Sequence, residues 1–290
     1  MTALPNQPVS PQTQIRIVLT AVLIGMFCVI VSASWAGAAE RARIEAFLNI
    51  TGFDVALDSI ALSAGDAPQM LGIEPDSFGS DWARLTRDVF DTKVMRAIAL
   101  DILEKTLSDQ ALGHAAAFYA TDLGQRLVVA ENATHMVDDD AEKQLKGSRL
   151  VASMVADGSP RLELFKRMNR AIDASETGLR AVQEIQIRFL LAASAAGVID
   201  LQLDADQLRA FLKSQEGALR RAIQVSALAG SAYTYQTFSD ADLKTYVEAL
   251  EEPDMVLVYE LLNAVQYEIM ANRFEVLAGR MANLHPGQDI

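Results

Sequence analysis

Cysteine is all but missing from this chain. The single residue, Cys28, lies in an uncharged, strongly apolar run from Ile17 to Val31. If that run is removed, no thiol remains, which excludes disulfides, a thiolate nucleophile and zinc–cysteine sites. Histidine is nearly as scarce, with three residues, and none is arranged as HExxH. The GxSxG elbow of a serine hydrolase does not occur either. Basic residues are outnumbered, 25 against 38 acidic, for a formal net charge of -13. Such a surface repels phosphate backbones, so nucleic acid is not an expected partner. Proline is absent from 76 to 159 and again from 161 to 252. Stretches that long, rich in Ala, Leu, Glu, Gln and Arg, read as helix. No stretch alternates at period two, so no sheet is expected.

What is present begins with a leader. Residues 1–14 carry Pro5, Pro8 and Pro11, then Arg16 precedes the apolar run. The small residues Ser32 to Ala38 follow, with an Ala-x-Ala step at Ala36 and Ala38. A basic residue, an apolar core and that step are the marks of a secretory signal peptide. The same stretch, uncharged from Ile17 to Ala39, is also long enough to span a bilayer as an uncleaved anchor. Residues 1–38 are therefore a signal peptide or an N-terminal membrane anchor. In both cases Glu40 onward is exported. The expected location is the periplasm, free or anchored in the inner membrane, with any membrane contact made through residues 17–38.

The body is organised around Ser108 to His135, whose scaffold returns 131 residues later. At that offset Ser108, Asp109, Leu112, Asn132 and Ala133 fall on Ser239, Asp240, Leu243, Asn263 and Ala264. Ser108 and Ser239 are good N-caps, and Ser239 with Asp242 resembles a capping box. The partner helices start at Thr121-Asp122 and at Glu252-Pro253, where proline suits a first helical position. Loops this short force antiparallel hairpins. Thr51 or Asp54 is placed to cap an earlier helix. Gly158, Ser159 and Pro160 mark a stop followed by a start. The expected fold is all-α: two tandem, related halves, 40–158 and 159–285, built from antiparallel hairpins after an N-terminal apolar helix. With so many alanines the halves are expected to share a core.

Three strings, TGFDVALDSIA (51–61), AFYATDLGQRLV (117–128) and ENATHMVDD (131–139), resemble the bacterial family called domain of unknown function 2059. The signature is carried by Phe118, Tyr119, Gly124 and Arg126. In the second, degenerate copy Ala249-Leu250 and Met255 stand instead of the aromatic pair and glycine. The resemblance takes in most of the exported chain. It implies a helical, exported protein with no established activity, and brings no catalytic residues.

Chemistry-bearing residues are few. Glu131 and His135 share a helix face, and His114 precedes them; with Asp138 they form a weak metal site against a solvated-face reading. Asp138 to Asp140 lack EF-hand spacing. Gly124, early in its helix, suggests a close backbone approach. Asn132 and Asn263, unfavourable inside helices, each suggest a satisfied polar group at a junction. Tyr233, Tyr235, Phe238 and Tyr246 form an aromatic cluster that packs a core or lines a groove. No cofactor is expected. The leading expectation is a non-enzymatic interaction module with an envelope protein partner. The alternatives are a carrier of an apolar small molecule held between the halves and, weaker, a metal-dependent hydrolase on His114, Glu131 and His135.

Overall fold

Polar caps divide this alanine- and leucine-rich chain into rods. The computed structural model describes residues 40–64, 67–73, 79–137, 139–172, 176–282 and 284. The leader, Asp138 and His285 to Gly287 lie outside them. Two units are distinguished, Met1–Glu45 and Ala46–Ile290. Of the first, residues 40–45 are described and are helical.

The second unit opens on helical residues 46–51 (α1). It continues with α2 (Phe53–Ser63), α3 (Ala67–Met70), α4 (Gly79–Val89), α5 (Thr92–Thr106), α6 (Asp109–Tyr119) and α7 (Asp122–His135). Then come α8 (Asp140–Ala156), α9 (Arg161–Ala171), α10 (Glu176–Ala195) and α11 (Ala205–Ser214). The last three are α12 (Glu216–Thr234), α13 (Asp240–Leu250) and α14 (Pro253–Met281). Among the described residues there is no strand, and no helix is long and apolar enough to cross a membrane.

Helix starts follow the sequence closely. Ser108 Oγ accepts from the Ala111 N–H at 3.2 Å, Thr121 Oγ1 from Gly124 at 3.0 Å, and Ser239 Oγ from Asp242 at 3.1 Å. Each such cap is worth about 1 kcal/mol. The two hairpins have matching bounds: α6 and α13 are both 11 residues long, and α7 and α14 start at Asp122 and Pro253. Leu112 and Leu243 are both buried. Two starts differ from expectation. Neither Thr51 nor Asp54 caps α2. The N-cap is Gly52 at φ 69, a left-handed conformation open to glycine, and it has no side chain to cap the helix. Thr51 instead donates to Phe47 O at 3.0 Å. Only half of the Ser239–Asp242 box forms, because the Asp242 carboxylate is taken by Arg126 at 3.0 Å. A full capping box occurs at Asp204 and Gln207.

The 29-residue α14 is the spine, about 44 Å long. It packs along α10 and against α4, α5 and α6. Phe274 sits edge-on between Phe90 and Phe189, with ring centroids 5.4 and 5.5 Å away. Hairpin meets hairpin through Gln110 to Asp254 (3.0 Å) and Arg126 to Asp242. The α8–α12 pair is closer still: a Cβ built on Gly147 would stand 2.1 Å from the carbonyl oxygen of Ala229. Glycine is the one residue that permits this approach.

Gly147→Ala is therefore expected to lose about 1–3 kcal/mol of stability by pushing α8 off backbone that cannot yield. Gly113→Ala, in an exposed helical position with open space around it, is expected to gain about 0.5–1 kcal/mol. Urea denaturation of the two variants checks both signs.

Candidate functional site

Glu131 stands four residues after Leu127 and three after Val128, both buried, so the helical repeat turns it toward the core. A carboxylate on that face must find hydrogen-bond donors. It finds tyrosines. Tyr235, just past α12, donates to Glu131 Oε1 at 2.7 Å, and Tyr246 of α13 donates to the same oxygen at 2.9 Å. Tyr246 also bonds Tyr259 of α14 at 2.9 Å, and Tyr259 bonds Tyr119 of α6. Four hydroxyls from four segments thus form one network around one carboxylate. Phe118 stacks on Tyr246 at 5.8 Å and closes the aromatic wall.

Beside this network lies a cavity of about 320 Å³. Its floor includes Gly52, Phe53 and Ala56; its walls carry Glu131, Asn132 and His135 of α7 and Tyr259, Leu262, Asn263 and Gln266 of α14. Asn263 donates to the carbonyl of Ile172 at 3.1 Å, holding the end of α9 against α14. Asn132, at the equivalent place in the first hairpin, presses on Gly52, where an added Cβ would come within 2.3 Å of its amide. The left-handed cap of α2 is thereby locked to α7.

Burial governs the electrostatics. Although Glu131 as a residue keeps some exposure at the cavity wall, its carboxyl group is enclosed. That enclosure raises its pKa, partly offset by the hydrogen bonds from Tyr235 and Tyr246. Tyr119, Tyr235, Tyr246 and Tyr259 are all raised, first by burial and then by neighbouring groups that include Glu131. They stay protonated and act as donors. His135 keeps much of its surface exposed, yet the protein bulk beside its ring, and then Lys143, lower its pKa.

The other sequence-selected residues turn inward. Gly124 lies under the end of α6, where a Cβ would meet Phe118 O at 2.5 Å and Tyr119 Cα at 2.7 Å. Arg126 pairs with Asp242 and lies over the Phe238 ring at 5.5 Å. His114 is half-buried on α6. Among the described residues no three His, Cys, Asp or Glu side chains gather as a metal site, so His114 does not join Glu131 and His135. Tyr235, Phe238 and Tyr246 do cluster, with centroids about 6 Å apart. Tyr233 is half-buried and takes no part in those ring contacts. Tyr259, which the sequence reading passed over, joins Tyr119 to Tyr246; its place four residues after buried Met255 is the signal that marks it.

Residues 93–151 match the model of a family described as "Uncharacterized protein conserved in bacteria (DUF2059)". The resemblance carried by Phe118, Tyr119, Gly124 and Arg126 holds over that segment, which α5 to α8 occupy almost entirely; the 51–61 string and the second hairpin fall outside it. No curated protein and no solved structure matches the chain.

Glu131→Gln tests the electrostatics. A carboxyl group with a raised folded pKa binds more protons folded than unfolded, so its contribution is present at low pH. It is lost as pH rises from the unfolded value, ~4.3, through the raised one. The stability of Glu131→Gln relative to the unsubstituted chain should thus improve from pH 4 to pH 8 in urea titrations. A difference that stays flat with pH would mean the carboxyl group titrates as it does in water.

Proposed function

We propose, from the premise that residues 93–151 are a DUF2059 segment, that this chain is a non-enzymatic helical binding module for a small polar molecule. The observation that carries this reading is the 320 Å³ cavity walled by Glu131 and hydroxyls of the tyrosine network. Its volume is at the lower end of ligand sites, and its lining is mainly apolar with several convergent polar groups. A titratable group with a raised pKa at such a wall is a mark of function. The tyrosines, held protonated, suit recognition better than proton transfer at neutral pH.

The setting is the cell envelope. The apolar run 17–31 and the Ala36–Ala38 step support export, by a cleaved signal or on a retained anchor. The equal lengths of α6 and α13 and the matching starts of α7 and α14 support descent of both hairpins from one, and the cavity then lies where the two relatives meet. A second reading, docking of an envelope protein, is favoured by large apolar side chains left on the surface, Phe211 at 53% and Val225 at 65% exposure.

A thermal-shift panel of small polar compounds, neutral and charged, tests the cavity. A ligand at ten times its Kd should stabilise the protein by about 1.4 kcal/mol, raising Tm by about 3 °C. Ala56→Phe, which fills the floor, should abolish the shift and leave the far-ultraviolet circular dichroism unchanged. Shifts that survive Ala56→Phe, or no shift with any compound, would remove this reading.

A further inference from the structure

Several interhelical carboxylates in this protein are matched with arginine, whereas Asp254 takes the amide of Gln110. Asp54 has Arg96, Asp242 has Arg126, Glu251 has Arg167, and Glu268 and Glu275 share Arg188. Glu131 breaks the pattern. It is more enclosed than any of these, yet among the described residues no lysine, arginine or histidine pairs with it. Two tyrosine hydroxyls on one oxygen supply hydrogen bonds but no opposite charge. A buried carboxylate without a counter-charge is unfavourable, and a cation delivered to it would relieve that cost by pairing with it.

The cavity at its side offers room for that cation. By volume it holds the equivalent of about ten waters. Rings of Phe53, Tyr119, Tyr235 and Tyr259 take part in its walls, and aromatic faces attract ammonium groups. Asn132, Thr134 and Gln266 add oxygen acceptors for N–H donors. The net charge of -13 biases the surrounding potential toward cations. We propose that the cavity binds a small organic ammonium ion, whose charged head completes an ion pair with Glu131 inside the tyrosine network. The inference rests on the cavity reading above and names its ligand class.

The groups facing Glu131 fix the pH behaviour. Tyr119 of α6, Tyr235 after α12, Tyr246 of α13 and Tyr259 of α14 remain neutral donors, because burial raises all four. His135 on α7 has its pKa lowered, first by burial and then by Lys143, and Lys143 of α8 is engaged by Asp140 at 2.5 Å. Glu131 must lose its proton to receive the ammonium ion, so affinity rises with pH through its titration. It falls again only as the amine itself deprotonates, near pH ~10.

Calorimetric titration of the full chain with n-butylammonium, its neutral isostere n-butanol, and butyrate tests this. At pH 8 butylammonium should bind at least tenfold more tightly than butanol, and butyrate not at all. Its affinity should drop at least threefold at pH 5, whereas that of butanol stays level. Glu131→Gln should erase the preference for the cation. Equal binding of butanol and butylammonium, or a preference unchanged in Glu131→Gln, overturns the proposal. Should that variant not fold, the pH series on the unsubstituted chain decides, and a level series overturns it. Butanol binding that Ala56→Phe abolishes, without any cation preference, ends the ammonium inference and leaves the cavity reading standing. Silence from all three compounds and from the wider panel ends both.

Discussion

A carboxylate placed inside a helical protein must be satisfied by groups that the chain brings from elsewhere, and Glu131 is placed so. No residue near it in sequence supplies its donors. The hydroxyls of Tyr235 and Tyr246 come from more than 100 residues away, and Tyr259 and Tyr119 connect α14 to α6 behind them. For these contacts to coexist, α13 and α14 must lie against α6 and α7, and the turn after α12 must end beside them. The polar network thus constrains the junction of the two hairpins more tightly than the interchangeable alanines and leucines around it, because hydrogen bonds are directional and apolar contacts are not.

That junction also explains the motif residues. Gly124 lets α7 start directly beneath the end of α6, which carries Tyr119 into the network. Phe118 stacks on Tyr246, and Arg126 reaches the first turn of α13. Phe118, Tyr119 and Arg126 are thus side chains with which the first hairpin grips the second. Leu250, 131 residues after Tyr119, is buried as an ordinary apolar residue.

Much of the fold was legible in the sequence because helix ends are local. Ser108, Thr121, Asp204, Ser239 and Pro253 mark starts through their own chemistry, and the structure keeps each within a residue. The failure at Thr51 and Asp54 is instructive: Gly52 adopts a left-handed conformation, and Asn132 of a distant helix packs so close to it that a side chain there has no room. The site was legible only in fragments. Glu131 was noted for its spacing to His135, Tyr119 for a motif, Tyr235 and Tyr246 for their aromatic neighbourhood. Nothing in one dimension tells that their polar atoms converge, since that convergence is a property of packing. The core-face register of Glu131, in phase with Leu127 and Val128, was the available clue.

One helix stands apart from this tightly tied junction. α8 buries no side chain completely; Gly147, which has none, is its single fully covered position. Its hold on α12 rests on intimate backbone contact and partly covered residues, not on anchors driven into a core. A helix held without buried side-chain anchors has less to lose on opening locally than one with them. Amide protons of α8 should accordingly trade with solvent deuterium ahead of those in α14, and a protease given time would open the chain there first.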